Sequence, residues 1–151
     1  MSKTYFLDTS ALVKLYHEED GTKTLDGLIR DEKPTLVISD LAVIEMTSAL
    51  LKKARMHIIN HEVCSQAIAS FENDLPKFTV LVVEKTIKGM ATALLKEFGK
   101  ERGLKTLDAL QLASVLHASQ TSQCDLFIVT DAILAEIAAQ KGLTVLNLSH
   151  P

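Results

Sequence analysis

The sequence predicts an α/β domain in which a parallel sheet is covered by helices on both sides. Its strand-like segments are short and apolar throughout, the pattern of strands buried on both faces rather than one. Helical patterns separate them, in the order β-α-α-β-α-α-β-α-α-β-α-β, which calls for crossover connections. The chain has 151 residues, 47% hydrophobic and 23% charged, with 3 Pro and 6 Gly. That composition excludes disorder and fibrous repeats, and a chain this long buries roughly 68–70% of its unfolded surface. No linker, repeat or low-complexity segment interrupts it, so residues 1–151 are expected to form one domain.

Residues 4–7 (Thr-Tyr-Phe-Leu) form the first predicted strand, followed by a helix from Ala11 to His17 that runs on toward Asp20-Gly21. A second helix spans 22–31 with Thr22 as its N-cap, and residues 35–38 (Thr-Leu-Val-Ile) make the second strand. Ser39 or Asp40 then caps a helix from Leu41 to Arg55, and Asn60 starts another that reaches Asp74 and stops before Pro76. Phe78 to Val83 is β-branched and strand-like. A helix over 85–98 is expected to break at Gly99 and Gly103, and Thr106 to cap the next, Leu107 to Ser119. Leu126 to Val129 is a strand, Asp131 to Lys141 a helix with Gly142 just past its end, and Thr144 to Leu146 the last strand.

The apolar runs, such as Leu41 to Ile44, fall far short of the roughly 20 residues that span a bilayer. The opening Met-Ser-Lys-Thr-Tyr-Phe-Leu-Asp lacks the long apolar core of a secretory signal, so a cytoplasmic protein is expected. Cys64 and Cys124 lie far apart in apolar surroundings and are read as buried free thiols. His17, His57, His61, His117 and His150 show no ligand spacing. Lys14 and Tyr16, on the first helix, serve either packing or a partner surface.

Four carboxylates stand where apolar residues belong. Asp8 is the only charge between Lys3 and Lys14, Glu45 the only one between Asp40 and Lys52, and Asp108 the only one between Lys105 and Asp125. Asp131 follows the apolar strand Leu-Phe-Ile-Val-Thr. A carboxylate carried into apolar surroundings must be paired, protonated or bound to metal. Glu45 has no basic residue one helical turn away, and Asp108 has only Lys105. Asp8 and Asp131 end parallel strands, the edge at which open α/β sheets gather their ligand sites. Asp108 opens a helix, and Glu45 sits one turn into a helix that follows a strand end, so all four fall at one edge. Converging carboxylates without His or Cys select Mg²⁺ or Mn²⁺. The net charge of −3 agrees, because setting these four aside leaves 15 acids against 16 Lys and Arg.

The blocks YFLDTSALVKLY, SDLAVIEMTSALLKKAR, GLKTLDALQLASVLHA and LFIVTDAILAEIAAQKGL resemble, in order and spacing, PIN-domain ribonucleases, most closely the VapC-type toxins of toxin–antitoxin modules. The resemblance spans Phe6 to Leu146. It implies a five-stranded parallel sheet in spatial order 3-2-1-4-5, with Asp8, Glu45, Asp108 and Asp131 as the metal-binding and catalytic acids. Thr130, Thr9 and Ser10 match the family's supporting hydroxyls. One departure is that Thr130 and Asp131 are adjacent, where this subgroup often has a residue between. The resemblance further implies Mg²⁺- or Mn²⁺-dependent hydrolysis of an RNA phosphodiester to a 5′-phosphate and a 3′-hydroxyl. It also implies a small VapB-like antitoxin that lays a chain segment across the site, and a homodimer.

RNA approaches an acidic pocket only if cations flank it. Lys52, Lys53 and Arg55 end the Glu45 helix, and Lys96, Lys100, Arg102 and Lys105 lead into Asp108, so both groups are candidates for gripping backbone phosphate. With 5% aromatics and no Trp, broad base stacking is not expected. Other classes fit less well. An aspartyl-phosphate hydrolase wants a second Asp where Ser10 stands, a receiver domain wants a Lys that TVLNLSHP lacks, and no GxxxxGK[ST] loop occurs. A non-catalytic scaffold that keeps the fold and acids, and a DNA-directed nuclease, are the remaining alternatives.

Overall fold

A computed structural model describes residues 2–149. Five strands, β1 (Thr4–Leu7), β2 (Thr35–Ser39), β3 (Thr79–Leu81), β4 (Leu126–Val129) and β5 (Val145–Asn147), form a wholly parallel sheet in the order β3-β2-β1-β4-β5. This is the order the family resemblance implies. The helices are α1 (Thr9–Leu12), α2 (Thr22–Glu32), α3 (Leu41–Arg55), α4 (His61–Asp74), α5 (Lys85–Arg102), α6 (Thr106–Thr121) and α7 (Ala132–Gln140).

Because successive strand residues point to opposite faces, each apolar strand feeds two cores. Phe6, Phe127 and Val129 point into one, where α5, α6 and α7 bring Ile87, Leu94, Phe98, Leu112, Val115 and Ile137. Tyr5, Leu7, Ile38 and Ile128 point into the other, closed by Leu12, Leu25, Met46, Leu50 and Phe71 from α1 to α4. The Phe6 and Phe127 rings meet edge to face at 6.0 Å across the β1–β4 pair. β1 is therefore the central strand, and its carboxyl end is buried.

Several boundaries differ from the sequence-based expectation. The first helix is only Thr9–Leu12 continued by a 3-10 turn, Val13–Leu15, and does not run on to Gly21. The chain folds back instead, and the Lys14 ammonium donates to the Asp20 carbonyl at 2.7 Å and to Glu19 at 3.0 Å. Gly21 (φ +95°), not Thr22, takes the N-cap of α2, where a Cβ would crowd Leu148. The Thr22 hydroxyl donates to the Lys14 carbonyl. α5 continues through Gly99, because its apolar face packs on α6, and stops at Gly103 (φ +69°). Lys105 rather than Thr106 occupies the N-cap of α6, which runs on to Thr121. β3 is shorter than Phe78 to Val83, as an edge strand with one neighbour, and β5 is set one residue later. The Asn60 cap, by contrast, is as predicted, its Oδ1 accepting from the Val63 N–H at 2.7 Å. Cys64 and Cys124 are free, the first buried and the second partly so. His150 lies outside the described residues.

Removing the Phe127 ring, fully buried at the sheet centre, should lower unfolding stability by about 3–5 kcal/mol. Val80→Thr on the exposed edge strand should change it by under about 0.5 kcal/mol. Urea unfolding of the two variants measures both, and comparable losses would place the core elsewhere.

Candidate metal centre and nucleic-acid interface

Asp8 leaves the sheet one residue beyond β1, its N–H still bonded to the Ile128 carbonyl of the neighbouring strand at 3.0 Å. Its carboxylate caps α1, accepting from the Ser10 N–H at 3.2 Å and from the Ser10 hydroxyl. The residue is 5% exposed. Burial is the main cause that lifts its pKa from 3.8 to about 6; the Ser10 hydrogen bonds oppose it and the Glu45 charge adds to it. Asp108, in the first turn of α6, is also raised to about 6, by burial and then by repulsion from Asp8 and Asp131. Glu45, one turn into α3, is held above the ordinary carboxylate range by burial, with the Asp108 charge adding to it.

Asp131 differs from the other three. It is exposed and caps α7, its Oδ1 accepting from the Leu134 N–H at 2.7 Å. Its charge is nonetheless felt at Asp108. The three hydroxyl candidates all bind within this region. The Thr130 N–H donates to Ser10 Oγ at 3.0 Å and the Thr130 hydroxyl to the Ser10 carbonyl, so Ser10 links the ends of β1 and β4. The Thr9 hydroxyl donates to Glu45 Oε1 at 3.2 Å.

Asp8, Glu45 and Asp108 line one open cavity of about 490 Å³ with Thr9 and Ser10, walled by Val13, Leu41, Ile44 and Leu107. Among the described residues no three Asp, Glu, His or Cys side chains stand close enough to enclose an ion. The donor chemistry nevertheless fits a hard divalent cation. The acidic donors are all oxygens, and a cation would offset both the burial that chiefly raises Asp8 and Asp108 and the repulsion that adds to it.

Of the basic candidates, Lys52 lines the cavity and is exposed. Lys53 is committed to Glu19 at 3.0 Å and Arg102 to Glu136. Among the described residues no ion pair engages Arg55, Lys100 or Lys105, all exposed. Lys14 packs, buried on the Glu19–Asp20 turn, and Tyr16 is half-buried, donating to Asp74 with its ring on Phe71.

One residue of the site escaped the sequence reading. Gln111, fully buried, donates from Nε2 to Glu45 Oε1 at 2.8 Å and to Thr9 Oγ1 at 3.1 Å, and its Oε1 accepts from the Ser39 hydroxyl at 3.1 Å. It lies three residues after Asp108, on the same face of α6. A polar residue at that spacing within LDALQLASV was the available signal.

The family model for the PIN domain matches residues 5–140. No curated protein matches the chain in sequence. Similar solved structures include Mycobacterium tuberculosis VapC20, a Sarcin-Ricin loop cleaving toxin, at 17% identity and TM-score 0.66 over 93% of this chain and 96% of that one. FitAcB from Neisseria gonorrhoeae is 19% identical with TM-score 0.65, over 97% and 99%. A toxin–antitoxin complex from Klebsiella pneumoniae is 18% identical with TM-score 0.63, over 95% and 97%. These likenesses show the fold.

The raised Asp8 pKa gives stability a defined pH dependence. The folded protein holds this proton up to pH about 6, whereas the unfolded chain releases it near 3.8. Between those values the folded state binds more protons, so stability falls as pH rises from about 4 to 6 and stays low above. At pH 7 the ionised Asp8 costs the fold on the order of 2–3 kcal/mol. Asp8→Asn should therefore raise Tm at pH 7 in EDTA and make the profile between pH 4 and 6 less steep, Asp108, also raised to about 6, keeping part of the slope. Thermal melts across that range check this, and a variant that melts lower than wild type at pH 7 would contradict it.

Proposed function

The chain belongs to the PIN-domain family, and from that premise we propose that it is a divalent-metal-dependent endoribonuclease, the toxin of a VapBC-type toxin–antitoxin pair. The observation that carries this is the shared cavity of Asp8, Glu45 and Asp108 at the carboxyl edge of the sheet. Asp8 and Asp108, with Asp131 beside them and Glu45 completing the set, are the residues to hold Mg²⁺ or Mn²⁺. When bound, such an ion neutralises charge on the scissile phosphate and makes a water more acidic. Glu45 orients that water or takes its proton. The water oxygen joins phosphorus, the bond to the 3′ oxygen breaks, and a proton passes to that oxygen, leaving a 5′-phosphate and a 3′-hydroxyl. Lys52 at the cavity wall, with Arg55, Lys100 and Lys105 beyond it, meets the backbone phosphates. Lys53 and Arg102 reach RNA only by giving up their present partners.

The VapC20 toxin and the toxin–antitoxin complex among the similar structures support RNA as the substrate and a VapB-like antitoxin as the partner. A homodimer and a cytoplasmic location go with the same reading. No helix among the described residues is long and apolar enough to cross a membrane.

Total RNA incubated with the purified protein in Mn²⁺, Mg²⁺ or EDTA, with new 5′ ends mapped, tests this. Discrete metal-dependent cuts are expected, reduced on the order of 10²- to 10³-fold in Asp108→Asn. Cleavage of DNA alone would reassign the substrate, and folded protein that binds Mn²⁺ without cutting would favour a scaffold. Mn²⁺ at 100 times its Kd should stabilise the wild type by about 2.7 kcal/mol, seen as a higher Tm. That gain should disappear in Asp8→Asn.

A further inference from the structure

The hydrogen bonds around Glu45 are one-sided. Its Oε1 accepts from both the Thr9 hydroxyl and the Gln111 amide, while among the described residues no donor engages Oε2. We infer that Gln111 is a positioning residue of the nuclease site: its amide, oriented by Ser39, pins Oε1 of Glu45 so that Oε2 alone is offered to the cavity. This rests on the proposed nuclease function for the role of Glu45 but not for the geometry.

The orientation of the amide follows from chemistry rather than from its shape. An ionised carboxylate only accepts hydrogen bonds, so the group of Gln111 that faces Glu45 must be the NH₂. The amide oxygen must then face Ser39, whose hydroxyl supplies a proton to it. Both amide protons are used, the second on Thr9 Oγ1, which itself donates to Glu45. Ser39 ends β2, Glu45 belongs to α3, Thr9 opens α1 and Gln111 lies on α6. Three elements besides the helix of Glu45 itself thereby fix one carboxylate oxygen. Gln111, Ser39 and Thr9 are themselves buried, so water does not replace any of these bonds at low cost.

The fixed geometry determines how Glu45 works. A free carboxylate chelates with both oxygens or swings between rotamers, whereas a carboxylate bonded through one oxygen presents a single directed lone-pair set. Residues that orient a ligand from behind in this way typically govern metal affinity by 10- to 100-fold. Asp108 and Gln111 are one turn apart on α6, so the same helix places one acid directly and a second through its amide.

Gln111→Met keeps the unbranched shape and removes the amide. Mn²⁺ binding without RNA, followed by the electron paramagnetic resonance signal of the free ion, should weaken about 10-fold or more in the folded variant. Ser39→Ala frees the amide to rotate and should weaken binding in the same direction but less. A purely structural role would lower Tm and leave Mn²⁺ affinity unchanged in both variants, and that result overturns the inference. Absence of Mn²⁺ binding by the wild type overturns it too. Should Gln111→Met not fold, Ser39→Ala decides, because it removes only a hydroxyl. If the wild type binds Mn²⁺ but cuts no RNA, the nuclease reading fails, while the shift in affinity still tests the positioning.

Discussion

Withdrawing the Asp8 carboxylate from water is the constraint around which this structure is arranged. A charge that is 5% exposed is stable only if the chain supplies hydrogen bonds or a counter-charge. The backbone supplies the first. The turn at the end of β1 brings the Ser10 N–H and hydroxyl back onto the carboxylate, and Thr130 holds Ser10 from the neighbouring strand. β1 lies between β2 and β4 with helices over both faces of the sheet, so the residue that follows it is buried. Asp108 and Asp131, also negative, increase the strain at the same edge instead of relieving it. An arrangement that concentrates like charge at the expense of the fold is what a cation-binding centre requires.

The site also joins the two halves of the core. α3 packs on one face of the sheet and α6 on the other, so Glu45 and Asp108 arrive from opposite sides. The bonds among Ser39, Gln111, Thr9 and Glu45 close over the carboxyl edge, where strand ends would otherwise leave polar groups without partners. Among the described residues, no buried side-chain nitrogen or oxygen is left unpaired.

Much of this was legible in the sequence because the signals were strong and local. Continuous apolar strands separated by helical periodicity determine a parallel, two-sided sheet, and single acids in apolar segments stand out wherever the chain folds. What escaped was set by tertiary contacts. Lys14 resembles any surface lysine until the chain turns back to offer it the Asp20 carbonyl. Gly99 should interrupt α5, yet packing of its helix on α6 outweighs a propensity cost of roughly 1 kcal/mol. Gln111 is uncharged, and an amide on a helix suits a core network as well as solvent. The strand order came from likeness to a family and not from the residues themselves.

α6 carries Asp108 and Gln111, yet from Gln111 to Val115 every residue is buried. Ala109, Ala113 and Ala118 face the same core as α5. Its buried positions tolerate little change, since enlarging an alanine crowds its neighbours and shrinking a leucine opens a void, whereas Thr106, Leu107 and residues 119–121 are exposed. Substitutions at its buried positions will therefore reduce how much folded protein a cell retains. Changes that leave the amount of folded protein untouched fall on the exposed or half-buried acids, Asp131, Asp108 and Glu45, on the rim, and on Asp8, whose ionised carboxylate is itself a cost to the fold.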